Sequence, residues 1–167
     1  WLERFGWHRL VFQKPVILIH AVSVGENIAA KPLVEQLAAQ HPDFEILLTC
    51  TTLTGSAWIQ KNYPTSQTGE KSPLQHCYLP FDAPWTMRRL MRTIRPKLVI
   101  VMETEVWPSL VAQCHHAHIP LVLANGRMSE KSAKSYAKAS RFLPLEWAKI
   151  THILAQSQQD AQRFSQL

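Results

Sequence analysis

The sequence lacks most of the strings that assign a function at a glance. It contains neither G-x-G-x-x-G nor G-x-x-x-x-G-K-[ST], so dinucleotide and Walker-type phosphate binding lose their usual glycine-rich loop. Its three cysteines, Cys50, Cys77 and Cys114, are odd in number and far apart; this argues against a disulfide framework and for a reducing compartment. The longest apolar runs, 16–19 and 98–102, fall far short of the roughly 20 residues of a membrane-spanning helix. No signal peptide pattern is present either. Acidic residues are scarce. Twelve Asp+Glu against eighteen Lys+Arg leave a net charge of +6 with histidines neutral, a field that favours phosphates, nucleic acid or anionic headgroups over acidic protein surfaces. No recognised nucleic-acid module is visible, which disfavours that class of partner.

What is present points to one globular unit. At 167 residues with 46% hydrophobic and 18% charged, the chain has one domain's length and enough apolar side chains for a real core. It opens on Trp1 without a start methionine, so it is expected to be a piece of a longer protein, any anchor having been cut away.

Short apolar runs alternate with amphipathic stretches, the rhythm of parallel strands joined by crossover helices. Strands are expected over 16–21, 45–50, 76–79, 98–102, 120–124 and 152–155. Ser23 is the expected N-cap of a helix whose apolar face is Ile28, Leu33, Leu37 and Ala38, with Pro32 kinking or restarting it. Residues 52–63 read as a helix and 64–75 as a mobile polar loop. Asp82 is expected to cap a helix carrying Trp85, Leu90, Met91 and Ile94 on one face and ending before Pro96. Pro108 opens a helix to about His118. Asn125-Gly126 reads as a turn, followed by helices over 129–140 and 143–149. Ser157 and Asp160 resemble a capping box for a last helix. The fold class is α/β, a Rossmann-like open parallel sheet flanked by helices.

In such a sheet, ligands meet the crevice beyond the carboxyl ends of the strands. The residues there are Ser23, Gly25 and Glu26; 51–55; Glu103 and Glu105; 125–127; and Gln156 with Ser157. Gly25 permits close approach to a helix N-terminus. Glu26 either complements the helix dipole or serves as a general base. Glu103 and Glu105 follow a buried strand, where unpaired carboxylates are costly. Their spacing puts them on one side if the strand continues, either paired with Arg127 or a nearby lysine or in functional use. Cys114, His115, His116 and His118 do not have ligand spacing for a tetrahedral metal site; the imidazoles are read as sitting on a helix's negative end. Arg88, Arg89, Arg92 and Arg95 beside Trp85, Met87 and Met91, and Lys131, Lys134, Lys138 and Arg141, are either solvated faces or a surface for a phosphorylated, partly apolar ligand at a membrane interface.

Four strings go further: H-A-V-S-V-G-E at 20–26, A-A-K-P-L at 29–33, M-E-T-E-V-W-P at 102–108 and N-G-R-M-S-E-K-S at 125–132. In order, over about 16–164, they closely resemble the 3-deoxy-D-manno-octulosonic acid (Kdo) transferases of lipopolysaccharide synthesis. The resemblance implies the N-terminal, acceptor-binding half of a GT-B glycosyltransferase. On that reading 1–167 is a single Rossmann-like domain, with a membrane anchor before it and a donor domain after it. It implies inverting transfer of Kdo from CMP-Kdo to a lipid A precursor, without metal or cofactor, at the cytoplasmic face of the inner membrane of a Gram-negative bacterium. Glu26 matches the family's general base and Glu103 a carboxylate that stabilises the transition state. Ser23, Gly25, Lys31, Glu105 and Arg127 are implied on the acceptor side. Ser109 and Gly126 stand where the family usually has Asn and Ala, and the 64–75 loop is longer than usual. The alternatives are another GT-B nucleotide-sugar transferase and a non-catalytic module for anionic lipids.

Overall fold

A computed structural model describes residues 2–63, 74–104, 106–139 and 147–167, with the side chains of Ala137 and Ala139 excepted. Six strands form one sheet: β1 (Val16–His20), β2 (Glu45–Cys50), β3 (Leu74–Tyr78), β4 (Leu98–Met102), β5 (Leu121–Gly126) and β6 (His152–Ala155). They lie in the order β3-β2-β1-β4-β5-β6, every pair parallel. The crossovers carry α1 (Val24–Gln40), α2 (Leu53–Asn62), α3 (Pro84–Ile94), α4 (Pro108–His116) and α5 (Glu130–Ala139), and α6 (Gln158–Phe164) follows β6. This is the Rossmann-like α/β sheet expected from the alternation of apolar runs and amphipathic stretches.

The central strands have no polar side because both of their faces are covered. Val16 and Leu18 of β1 pack with Leu47, Val99 and Val101 against Met87 and Leu90 of α3 and Leu110 of α4. Ile17 and Ile19 turn the other way, toward Ala30 and Val34 of α1 and Ile59 of α2. Leu18, Ile19 and Leu47 have no exposed surface, and burying each stabilises the fold by about 1.5–3 kcal/mol. Cys50, Cys77 and Cys114 are free and buried. Burial pushes the Cys50 thiol up to about 11 and that of Cys114 to about 12, which makes these two poor nucleophiles at neutral pH.

Several local expectations yield to tertiary context. α1 runs through Pro32 without a restart. Pro32 has no N–H to donate to the carbonyl of Ile28, four residues before it, and Ile28 is 53% exposed. Ile28 and Ala38 are therefore solvent-facing, and the buried stripe is Asn27, Ala30 and Val34 with Leu33 and Leu37 at its margin. Trp85 is likewise 54% exposed. β3 begins at Leu74, pulled into register by Ile46 of β2, so residues 74–75 of the expected loop are strand; residues 64–73 lie outside the described residues. Asn125-Gly126 makes no turn: both belong to β5, which absorbs a bulge between Ala124 and Gly126 in its pairing with β6. Of the helix expected over 143–149, Trp147–Lys149 form a 3-10 turn and 143–146 lie outside the described residues, as do Ser140 and Arg141.

Asp82 caps a different helix from the one expected. α3 has Ala83 at its N-cap. The Asp82 carboxylate instead accepts from the Ser109 and Leu110 backbone N–H groups at 3.1 and 3.2 Å, satisfying the start of α4, whose own N-cap Trp107 supplies no side-chain bond. Burial raises the Asp82 carboxyl above its ordinary value, opposed by these hydrogen bonds.

The N-termini of α1 and α2 interlock. Thr52 Oγ1 accepts from Gly55 N–H at 3.1 Å and donates to the Val22 carbonyl at 3.1 Å. A Cβ on Gly55 would stand 2.8 Å from Thr52 Oγ1 and 3.4 Å from that carbonyl, whereas one on Gly25 would meet only Ser23 Oγ at 3.8 Å. Gly55→Ala is therefore expected to cost about 1–3 kcal/mol through overpacking. Gly25→Ala should leave stability within about 0.5 kcal/mol. Urea denaturation of both variants checks the contrast.

His20, wholly buried, gives a second expectation. Burial drives its imidazole from 6.5 down to about 3, so between those values the unfolded chain binds the extra proton. Its contribution to stability is complete above pH 6.5 and is lost as pH falls toward 3, at up to about 1.4 kcal/mol per pH unit. Denaturation midpoints between pH 7 and 5 should fall less in His20→Gln than in the parent.

Candidate active site at the carboxyl edge of the sheet

The chain leaves β1 through Ala21 and Val22 and enters α1 at Ser23, which has extended backbone (φ −112°, ψ 170°). Ser23 Oγ accepts from Glu26 N–H at 3.3 Å and donates to Glu26 Oε1 at 2.9 Å. The Val22 N–H donates to Glu26 Oε2 at 2.8 Å. This is a capping box in which the acid reaches one residue further back than the cap itself. It fixes the Glu26 carboxylate at the helix N-terminus, where negative charge is favoured, with 7% of the residue exposed. Asn27, also buried, ties the Ala21 and Ser23 carbonyls through Nδ2 at 3.2 and 2.7 Å. Gly25 beside it is exposed.

Register places the neighbouring groups. His20 pairs with Val101, so the residues leaving β4 emerge beside those leaving β1, about 4.8 Å away across the sheet. β4 ends at Met102, and Glu103 takes a left-handed backbone (φ 58°) while its N–H donates to the Ala124 carbonyl at 2.8 Å. The strand does not continue, so the alternation that would align Glu103 with Glu105 does not apply; Glu105 itself lies outside the described residues. No ion pair joins Glu103 to Arg127 or to a lysine among the described residues. Arg127 is exposed and approaches this loop through its backbone, since Thr104 Oγ1 donates to the Arg127 carbonyl.

On the far side, Asn125 is also left-handed (φ 58°) and its Oδ1 accepts from Gln156 Nε2 at 2.8 Å. The Met128 N–H donates to Asp160 Oδ1 at 2.8 Å, and Arg163 reaches the Met128 carbonyl at 2.8 Å. Ser157 and Asp160 cap α6 as expected. The edge thus brings together Ser23, Gly25, Glu26, Glu103 and Arg127. Lys31 is not brought to Glu26: it lies five residues along α1, about 140° around the helix, and pairs with Glu35. Cys114 turns into the core while His115, His116 and His118 are exposed, so these four do not converge on a metal.

The sequence did not single out several residues that hold this edge. Asn27 and Arg4 are among them; Arg4 reaches the Thr51 and Leu79 carbonyls from the N-terminal 3-10 turn Leu2–Phe5. Below the edge, His20 holds Thr49 through Nδ1 at 3.0 Å. Its ring meets that of Trp107 edge to face at 5.2 Å, and both His20 Nε2 and Trp107 Nε1 are buried without a hydrogen-bond partner among the described residues.

Comparison with known proteins agrees with this architecture. A family model described as 3-deoxy-D-manno-octulosonic-acid transferase (kdotransferase) matches residues 1–167. A 3-deoxy-D-manno-octulosonic acid transferase of Haemophilus influenzae is 40% identical over 167 residues, 99% of this chain and 38% of that protein. A probable mitochondrial counterpart of Arabidopsis thaliana is 36% identical over 147 residues, 87% of this chain and 31% of its own. One from Bordetella pertussis is 33% identical over 150 residues, 90% of this chain and 34% of its own. The chain spans about a third of the length of these relatives and matches them along nearly all of its own: it belongs to the 3-deoxy-D-manno-octulosonic acid transferase family.

Proposed function

We propose that these 167 residues are the acceptor-binding domain of a glycosyltransferase that moves Kdo from CMP-Kdo to a lipid A precursor, the donor being held by a further domain. The observation that carries this reading is the fixed Glu26 carboxylate beside the exposed Gly25, where a Cβ would meet only Ser23 Oγ at 3.8 Å. Its two oxygens are held by Val22 and Ser23, and each oxygen of a carboxylate can accept more than one hydrogen bond, so an incoming hydroxyl finds an oriented acceptor.

In this scheme the acceptor hydroxyl gives its proton to Glu26 as its oxygen bonds to the anomeric carbon of Kdo. The bond from that carbon to the CMP phosphate oxygen breaks, and its electron pair leaves with CMP. Attack opposite the leaving group inverts the anomeric centre. Glu103, held at the neighbouring strand end, offers negative charge to the developing oxocarbenium ion. Arg127 is the cation offered to acceptor phosphate. No step calls on a metal or a cofactor.

The proposed partner surface is the anionic face of the inner membrane. At the carboxyl end of β3, Phe5 stacks on Trp85 at 6.2 Å and meets Phe81 edge-on at 5.8 Å, while the Arg89 guanidinium lies 4.0 Å over Trp7. These rings are 41–60% exposed, a composition suited to the headgroup region.

Glu26→Gln keeps one oxygen to accept from the Val22 N–H, lets the Ser23 hydroxyl accept from the new amide, and removes the base. In the complete enzyme it should lower transfer from CMP-Kdo by about 10²–10⁴-fold with little change in melting temperature; an unchanged rate would refute the assignment. The 167-residue chain alone should show no turnover in the same assay.

A further inference from the structure

At the opposite edge of the sheet, the C-terminal ends of α3 and α4 and the segments that lead into β4 and β5 enclose a cleft of about 640 Å³. Arg88 and Arg92 enter it from α3, Arg95 and Lys97 from the α3–β4 connection, and His116 and His118 from the end of α4. Met91 and Ile119 supply apolar wall. No Asp or Glu among the described residues lines it.

Some cations elsewhere in the chain are engaged, whereas Arg9, Lys61, Arg127, Lys131 and Lys138 have no side-chain hydrogen bond or ion pair among the described residues; the cleft cations stand apart because they line one concavity. Arg4 reaches two carbonyls, Arg89 a carbonyl and two indole rings, Arg163 a carbonyl and Asp160, Lys14 a carbonyl, and Lys31 and Lys134 a glutamate each. Among the described residues, the side chains of Arg88, Arg92, Arg95, Lys97, His116 and His118 have no hydrogen bond or ion pair. Helix ends do not account for the grouping. A C-terminus carries the equivalent of about half a negative charge, too little for this many cations, and the Met91, His115 and Cys114 carbonyls already accept from the N–H groups of Arg95, His118 and Ile119. Arg88 and Arg92 stand one helical turn apart, where like charges repel. Left-handed Arg95 (φ 50°) and His118 (φ 54°) shape the two connections that close the cleft.

We propose that this cleft is a binding site for a phosphorylated anion, with Arg88, Arg92 and Arg95 as its principal ligands. Arginine forks match phosphate oxygens two at a time, and several cations converging on one concavity suit a group with two or more negative charges, such as a pyrophosphate or a phosphomonoester. A five-residue strand separates the cleft from the Glu26 edge by about 16 Å, so its occupant would not compete there for the acceptor hydroxyl. The proposal does not depend on the transfer reaction.

The test is titration of inorganic pyrophosphate into the complete protein by isothermal calorimetry at low salt. Three forms are compared: the parent, Arg88→Gln/Arg92→Gln, and Lys131→Gln/Lys138→Gln, which removes the same charge from exposed α5. Binding to the parent should weaken at least about tenfold in the arginine pair and stay unchanged in the lysine pair. The substituted positions are exposed, so folding should survive, and circular dichroism verifies it. No binding to the parent, or equal weakening in both pairs, would overturn the proposal. Co-sedimentation with phosphatidylglycerol vesicles then identifies the source of the anion. Vesicle binding that pyrophosphate displaces and the arginine pair lacks assigns a lipid headgroup to the cleft. Vesicle binding indifferent to both, with pyrophosphate still bound calorimetrically, assigns a soluble phosphate compound.

Discussion

Six strands that all run the same way deliver every strand-to-helix junction to one edge of the sheet, and each junction must there satisfy the free N–H groups of a helix start. This chain meets the demand with polar side chains rather than a glycine-rich loop. Ser23 and Glu26 serve α1, Thr52 serves α2, Asp82 serves α4 and Ser157 with Asp160 serves α6. The same groups that complete the helices therefore line the crevice. A carboxylate fixed at a helix start costs the fold little, because it completes the cap, and it presents an oriented acceptor beside the exposed Gly25.

The two strand ends next to β1 on the α4 side carry the backbone strain of that edge. Glu103 after β4 and Asn125 in β5 are both left-handed without being glycine, a conformation that costs free energy and persists only where neighbours hold it. The neighbours are visible: the Ala124 carbonyl takes the Glu103 N–H, and Gln156 holds Asn125. The bulge at Gly126 lets β5 pair with β6 while Asn125 turns, and Phe164 fills the space where a Cβ at Gly126 would come within 3.1 Å. Asp160 and Arg163 of α6 brace the segment that follows. The loops that place Glu103 and Arg127 are thus positioned from the last helix of the chain.

The net charge of +6 is divided between distinct places. α3 alone splits its arginines: Arg89 leans onto Trp7 and Trp85 near the crevice end, whereas Arg88 and Arg92 line the cleft at the other. Met87 and Met91 pack into the core behind them, so the helix is amphipathic in the ordinary sense. Its polar face serves two neighbourhoods.

The sequence alone determined the alternation of strands and helices, the bounds of β2, β4 and β6, and the caps Ser23 and Ser157, because periodicity and capping act within four residues of chain. The strand pattern also put Glu26 and Glu103 beyond strand ends, and the four strings carried the family. Tertiary structure decided which helix Asp82 caps, since its partner Ser109 lies 27 residues away. It also decided that Ile28 and Trp85 face solvent and that Asn125-Gly126 bulges within a strand rather than turning. In each case a local pattern left two outcomes of similar energy, and contacts with distant segments, which no local window contains, selected one.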